Sequence, residues 1–383
     1  MKPEIAIIHY DEIGLKGENR PYFERKLKSN IETALKGIKH DGVKRLHGRM
    51  IIDLGGCDVD KVGHKLKGVF GISSFSFGYK TILDLENITD IVVKGLKKMK
   101  FSTFAIRAKR SSKKFKYTSG KINQHVGAVV VRELKKKVQL TQPEITAFIE
   151  ILDKQALVYF DKNEGLGGLP VGVSGKGICM LSGGIDSPVA AFKMLGRGLS
   201  LDYVHFHSYP ITRKASIEKT KRLFKLLKEY DPKSKLYLVP FAKIQKKIVE
   251  DTLESYRIIL YRRMMLRVSE KLAKTNKINA IVTGDSLAQV ASQTVENMIS
   301  IQDAVDMIVM RPLLGSSKRD IIKTAETIGS YEISIEPHED CCSVFVPKHP
   351  EIKSITKKVR DVENLLDIKK LVEYAIKKSE EIK

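Results

Sequence analysis

Between residues 178 and 190 the side chains follow an order suited to phosphate chemistry. Ile178 to Leu181 are apolar and uncharged. Ser182, Gly183 and Gly184 follow, then Asp186 and Ser187, and then Pro188, Val189, Ala190, Phe192 and Leu195 at helical spacing. Such an apolar run suits a strand buried on both faces of a parallel sheet. The glycine pair lets backbone come close to a ligand, Pro188 fits a first helical turn, and Gly196 or Gly198 can end the helix. A buried strand, a glycine turn and a helix N-terminus direct free N–H groups and the positive end of the helix dipole at one point. The ligand that fits is pyrophosphate. A glycine pair alone would be an ordinary tight turn; Ser182, Asp186 and Ser187 in register with it favour the anion site. No Gly-Lys-Ser/Thr stands at Walker A spacing, and the stretch from Gly172 to Gly177 reads as a hinge.

Other stretches also carry chemistry. Gly284, Asp285 and Ser286 repeat the glycine-then-polar order at the end of an apolar run. From Lys94 to Lys137 there are 15 Lys or Arg against one acid, Glu133. Within that block Arg107, Lys109, Arg110, Lys113, Lys114 and Lys116 interleave with Phe104, Phe115 and Tyr117. Such a stripe tracks a phosphate backbone, and its aromatics are candidates to stack on exposed bases; the plainer alternative is a solvated helix face and a charged loop. Cys341 and Cys342 are adjacent, and adjacent cysteines rarely bond each other because the ring strains the intervening peptide. They are expected to divide the work, one thiol facing in and one facing out. A buried structural pair is one alternative. A zinc site of His338, Cys341, Cys342 and His349 is another, although adjacent cysteines are poor metal spacing.

The 383 residues suffice for two or three domains with cores of their own. Sixty-eight basic against 45 acidic residues leave a net charge of +23, which points to a polyanionic partner; a general lysine bias is the alternative. Four cysteines are too few and too clustered for a secreted disulfide framework, so a reducing cytoplasm is expected. No apolar run reaches membrane-spanning length and the N-terminus is not a signal peptide, so no membrane role is expected.

Positioning falls to a series of strands and helices. Periodicity predicts strand 4–10, helix 20–37, strands within 43–54, helix 58–69, strand 73–82, helix 86–99, strand 103–110, helix 119–137 and strand 156–161, which make one or two small α/β units. Six glycines and a proline between Glu164 and Gly177 mark a connection between domains. Beyond it come strand 178–181, the helix from Asp186, strand 201–208, helix 212–229, strand 235–241, a long helical stretch 243–275, strand 279–284, helix 287–299, strand 307–311 and helix 317–328. A Lys/Glu-rich helix ends the chain. Repeated β-then-α units predict a doubly wound parallel sheet with its ligand beyond the carboxyl ends of the strands.

Ser-Gly-Gly-x-Asp-Ser at 182–187 resembles the pyrophosphate-loop signature of enzymes that split ATP into AMP and pyrophosphate. Over nearly its full length the chain resembles the tRNA 4-thiouridine synthetase (ThiI) family, the tRNA uridine 4-sulfurtransferases. The resemblance is carried by Glu12 to Arg20, Ser182 to Pro188, His205 to Pro210, Arg262 to Met265, Thr283 to Thr294 and Glu339 to Cys342. It implies an N-terminal ferredoxin-like domain (1–57), a THUMP RNA-binding domain (58–165), a linker (166–177) and a pyrophosphate-loop ATPase domain (178–383). Some family members add a rhodanese-like domain; no such segment is seen before Lys383.

The implied reaction adenylates uridine-8 of tRNA at O4 with ATP and Mg²⁺ and then replaces that oxygen with sulfur. Matched residue by residue, Asp186 orients metal and pyrophosphate and Lys318 approaches the phosphates. The nucleotide set is Met180, Leu181, Ser182, Gly183, Gly184, Ser187, His205, Phe206, Arg262, Gly284 and Gln293, and Cys342 is the active-site cysteine. Read alone, His205 and Phe206 are core-strand residues, Arg262 a helix-surface arginine and Lys318 a solvated helix-start lysine. Cys341 and Cys179 are candidates to resolve a persulfide, and Cys57 is too far along the chain. The implied partners are tRNA, a cysteine desulfurase or other sulfur donor, a sulfur-carrier protein, and a second copy in a homodimer; a role in supplying sulfur for thiamine thiazole synthesis is also implied. Two other readings stay open: another pyrophosphate-loop RNA-modifying enzyme, or an RNA-binding protein with a vestigial ATP site.

Overall fold

Alternate side chains of the first strands feed two different layers. The computed structural model describes residues 2–46, 48–112, 114–337, 345 and 347–383, and the chain divides into two units, Met1–Pro170 and Val171–Lys383. The first contains β1 (Ile5–His9), α1 (Arg20–Ala34), β2 (Val43–Leu46), β3 (Arg49–Asp53), α2 (Val59–Lys67), β4 (Ser74–Thr81), α3 (Leu85–Leu96), β5 (Thr103–Arg110), α4 (Ser119–Leu134), β6 (Lys137–Val138), β7 (Ile145–Ile151), β8 (Ala156–Tyr159) and β9 (Asn163–Glu164). Among the described residues these strands form one sheet, in the order β2-β3-β1-β4-β8-β7-β5-β6, with β9 beside β4. Ala6, Ile8, Met50 and Ile52 pack with Leu27 and Ile31 of α1 and Leu66 of α2. Ile106, Ile149 and Val158 pack with Val92 of α3 and Val126 of α4.

The intervening residues point the other way, where Ile5, Ile7 and Ile51 meet Leu152, Leu157 and Tyr159. A polar knot sits among these strands. Glu150 of β7 shares a hydrogen bond with His9 Nε2 at 2.9 Å, accepts one from the Tyr159 hydroxyl at 2.8 Å and pairs with Arg49. Burial, with Arg49 beside it, pushes His9 down to about 4, so the imidazole is neutral near pH 7.

The second unit contains β10 (Lys176–Met180), α5 (Asp186–Gly196), β11 (Ser200–His207), α6 (Ala215–Lys228), β12 (Leu236–Pro240), α7 (Ala242–Asp251), α8 (Arg257–Thr275), β13 (Ala280–Val282), α9 (Val295–Gln302), β14 (Ile308–Met310), α10 (Lys318–Thr327), α11 (Tyr331–Ile335), α12 (Thr356–Glu363), α13 (Ile368–Lys377) and β15 (Glu380–Ile382). The sheet order is β14-β13-β10-β11-β12-β15. The first five strands are parallel and β15 runs antiparallel to β12. Chain order reverses at β10, the first strand and the central one. Its carboxyl end is therefore the topological switch point, where doubly wound sheets leave a crevice.

The doubly wound sheet is as expected, but several segments differ from the sequence reading. Strand β7 is an addition to it, although Ile145, Ala147, Ile149 and Ile151 alternate toward the helices. The stretch 243–275 is not continuous: Thr252 is extended, its hydroxyl bonds back to Ile248 O at 2.6 Å, and a short 3₁₀ turn, Glu254–Tyr256, precedes α8. The helix expected over 287–299 begins only at Val295, because extended Thr294 caps it by accepting from Asn297 N. The chain ends in α12, α13 and the edge strand β15 in place of one helix.

The C-terminal helices are braced by a buried ion network. Arg263 of α8, 1% exposed, pairs with Glu363 of α12 at 2.6 Å and with Asp303 at 3.1 Å; Arg267 also reaches Glu363, at 2.8 Å. Burial raises the Glu363 carboxyl, but Arg263 and Arg267 more than offset it and hold it below the usual range. The hydrogen bond from Arg360 brings Asp303 down to about 2. Removing one partner of a buried pair typically costs about 3–5 kcal/mol, so Glu363→Ala should destabilise this unit by that amount in urea titrations at pH 7. Both carboxyls have depressed folded values. Their contribution is complete above the ordinary carboxylate range and fades as pH falls from about 4 toward about 2, which acid titration of the wild type checks.

Candidate active site

The turn after β10 is closed by its own serines. Ser182 N donates to Ser187 Oγ at 2.9 Å, and Gly184 N donates to Ser182 Oγ at 3.2 Å. Helix α5 starts at Asp186 with no side chain capping it, so its leading N–H groups are not taken up by a cap. Gly284, just past β13, lies against this turn: a Cβ there would come within 2.8 Å of Ser187 N and 2.9 Å of Ser187 Cα. Only glycine permits that approach.

Asp186 holds two partners from later in the chain. Lys318, the first residue of α10, reaches its Oδ1 at 2.7 Å, and Gln289 Nε2 reaches Oδ2 at 3.1 Å. Both members of the pair are partly exposed, and such pairs are worth at most about 1 kcal/mol. Its value is in placement: one carboxylate and one ammonium stand together over the first turn of α5.

Beside them lies a cavity of about 230 Å³. Met180, Leu181, Ser182, Asp186, Ser187, His205, Phe206, Arg262, Gly284 and Gln293 line it, together with Val204, Met265, Thr283 and Asp285. Gly183, Gly184 and Lys318 are not among its lining; Gly184 belongs to the turn and Lys318 enters through Asp186. His205 Nδ1 lies 2.9 Å from Leu181 O, and Phe206 packs edge-on against Phe241, so both residues are core and cavity wall at once.

Asp285, which the sequence marks only as part of the glycine-then-polar stretch 284–286 with no role of its own, is a charge centre of the cavity wall. It is 5% exposed and pairs with Arg262, with Arg311 Nε at 3.3 Å, with the Thr283 hydroxyl at 2.7 Å and with Gln293 Nε2 at 3.4 Å. Burial pushes its carboxyl up, but Arg262, Thr283 and Arg311 more than offset this and keep it below the usual range. The available signal was its place after Gly284; the arginines that meet it are distant in sequence. Gln293 Oε1 is buried with no hydrogen-bond partner among the described residues, an acceptor available to a ligand donor.

The basic block resolves into two kinds of residue. Arg107, Lys109, Lys114 and Lys116 are exposed or nearly so, and Lys113 lies outside the described residues. Arg110 turns inward and donates to Phe115 O and Tyr117 O at 3.2 and 2.9 Å, so it shapes the loop. Two of the three aromatics are not free to stack on bases as expected: Phe104 and Phe115 are buried in the core, while Tyr117 is half-buried at its edge. Apolar packing under α4 claims Phe104 and Phe115.

Cys341, Cys342 and His338 lie outside the described residues, so the zinc and resolving alternatives at those positions rest on sequence alone. Cys179 is fully buried in β10, and burial pushes its thiol up to about 12, which disfavours it as a resolving thiolate. Among the described residues no group of three His, Cys, Asp or Glu side chains could hold a metal, and no helix is long and apolar enough to cross a membrane.

Residues 172–368 match the family described as thiamine biosynthesis protein (ThiI), residues 5–76 the ThiI ferredoxin-like domain, and residues 79–161 the THUMP domain. The chain is 41% identical to a probable tRNA sulfurtransferase of Thermoanaerobacter sp. (strain X514), over 97% of each chain. It is likewise 41% identical to one of Moorella thermoacetica, over 96% of this chain and 94% of that one. Among solved structures it is similar to a 4-thiouridine synthetase in complex with RNA and bound ATP, with a TM-score of 0.89 and 36% identity over 100% of this chain and 99% of that one. It also resembles PH1313 from Pyrococcus horikoshii, with a TM-score of 0.68 and 25% identity over 86% of this chain and 100% of that one.

Removing the central carboxylate should leave Arg262 and Arg311 without the counter-charge they share. Asp285→Ala is expected to weaken ATP binding at least tenfold by calorimetry, and Asp285→Asn, which keeps the shape, should weaken it less. Unchanged ATP affinity in both variants would show that Arg262 needs no counter-charge to hold its place.

Proposed function

The chain belongs to the ThiI family, and from that premise we propose that it uses ATP to convert a uridine of tRNA, uridine-8, to 4-thiouridine. The observation that carries this reading is the Asp186–Lys318 pair standing over an uncapped helix start at the switch point of the sheet, beside a cavity. The cavity is smaller than the roughly 300–1,000 Å³ of pockets that enclose a whole drug-sized ligand. It suits the nucleoside of ATP, with the phosphates running out over residues 182–187. The unpaired Gln293 acceptor suits the adenine amino group.

The C4 oxygen of uridine is a poor leaving group. Attack of that oxygen on the α-phosphorus expels pyrophosphate and makes the oxygen part of AMP. Charge then grows on the pyrophosphate, next to the N–H groups of the turn, the positive end of α5 and the Lys318 ammonium. Asp186 orients Lys318. The donor set also suits Mg²⁺, which commonly takes one or two carboxylates and completes its shell with substrate phosphates and water; when bound it supplies further charge compensation at the phosphates. Sulfur then enters at C4 and AMP leaves with the former O4. We assign the sulfur-handling thiolate to Cys342. It acts either as persulfide carrier, whose mixed disulfide with C4 a second thiol then opens, or as the group that attacks an incoming persulfide, releasing sulfide and keeping a disulfide to the donor. Burial disfavours Cys179 as the second thiol, and a bond between Cys341 and its neighbour would close a strained ring.

In the first unit, Arg107, Lys109, Lys114 and Lys116 supply phosphate contacts to tRNA, which position the RNA and do not read bases. A cysteine desulfurase or other sulfur donor, a homodimer, a cytoplasmic site of action and a role in thiamine synthesis complete the reading.

Asp186→Ala should abolish adenylation while leaving the fold and tRNA binding intact. Cys342→Ser should adenylate but fail to thiolate from a persulfide donor. Normal thiolation from the persulfide by the Cys342 variant removes the cysteine assignment, and normal adenylation by the Asp186 variant removes the loop assignment. Charge reversal at Lys114 and Lys116 should weaken tRNA binding and lower the slope of log affinity against log salt by about 1 for each phosphate no longer neutralised; an unchanged slope would make them solvated surface.

A further inference from the structure

Lys219 of α6 is a lysine buried to 3% exposure. Its ammonium donates to Ser334 O at 2.7 Å and to Glu336 O at 2.6 Å, the carbonyls at the end of α11. One helical step on, Arg222 pairs with the Glu336 carboxylate at 2.7 Å. From the other side, Ser334 Oγ donates to Gly184 O of the phosphate turn at 3.4 Å. The stretch Ser334–Glu336 is thus tied to α6 by two cations and to the turn by a hydroxyl.

Burying an ammonium is costly unless its donors are satisfied, and an apolar side chain would fill the same space without that cost. What lysine adds is a fixed grip on backbone carbonyls. The gripped stretch leads directly into the segment that carries Cys341 and Cys342, five and six residues beyond Glu336.

We propose that Lys219 is a positioning residue for sulfur transfer: it fixes the root of the cysteine-bearing segment with respect to the turn where the adenylate forms. The inference rests on the assignment of Cys342 as the sulfur-handling thiol. Lys219 touches neither ATP nor tRNA in this scheme, so its effect falls on the second half-reaction.

The test compares Lys219→Met with wild type in three assays on the full chain: adenylation of tRNA, thiolation from a persulfide donor, and thiolation with inorganic sulfide supplied directly. Expected are unchanged KM values for ATP and tRNA, unchanged adenylation and near-normal sulfide-supported thiolation, with persulfide-dependent kcat at least tenfold lower. Persulfide-dependent thiolation at the wild-type rate overturns the proposal. An equal loss in all three assays also overturns it, because that is damage to the whole site. Should Lys219→Met not fold, Arg222→Ala tests the same grip from the surface: a two- to fivefold loss confined to persulfide-dependent thiolation supports the proposal, and no loss overturns it. Full persulfide activity in Cys342→Ser would instead remove the underlying cysteine assignment, whatever Lys219 does.

Discussion

The catalytic unit is organised around one close approach, that of the Gly284 backbone to the first turn of α5. Two parallel strands end side by side at the switch point, and the helix following one of them must start in the space between. A side chain at 284 would push the helix away from the strand end. The turn would then open, and Ser182 and Ser187 would lose the hydrogen bond that closes it. Because the helix start is uncapped, its N–H groups face outward in place of being consumed locally. A helix start of this kind offers its N–H groups to an anion without any reorganisation of the backbone, which is what stabilising a departing pyrophosphate would require.

Charge around this turn is arranged in two ways that differ in cost. Asp186 and Lys318 form a partly exposed pair, cheap to make and cheap to break, so a phosphate or a metal ion can compete for either partner. Asp285 is buried and shared between Arg262 and Arg311, so neither arginine leaves it without stranding a charge. The first pair is therefore suited to exchange partners during the reaction, and the second to keep the cavity wall in one shape.

Much of this was legible in the sequence because local chemistry dictated it. The turn at 182–187, the helix start at Asp186 and the glycine-then-polar order at 284–285 follow from residue types at fixed spacing. The doubly wound sheet follows from the repeated β-then-α pattern. Illegible were features set by partners far along the chain. Nothing near Arg311 or Gln289 announces that they meet Asp285 and Asp186. Phe104 and Phe115 read as free aromatics because their burial depends on α4. The break at Thr252 and the late start at Val295 each turn on one hydroxyl, which hydrophobic periodicity does not register. Strand β7 is the exception: its alternation was there to be read.

The two units face different selectivity problems, and their chemistry reflects this. Phosphate contacts from lysines and arginines give affinity and register but treat every backbone alike. In the basic stretch of the first unit Arg107, Lys109, Lys114 and Lys116 are exposed while Phe104 and Phe115 are withdrawn into the core, so that stretch has little with which to tell one base from another. Choice of the reacting base must therefore come from shape and from the chemistry of the second unit. Only a base presenting a carbonyl oxygen to the α-phosphorus can be adenylated there, and a base bearing an amino group at that carbon offers no such oxygen. Discrimination between uridine and cytidine at C4 is built into the reaction and needs no dedicated contact at that atom, whereas guanine, which also presents a carbonyl oxygen, has to be excluded by its size and shape.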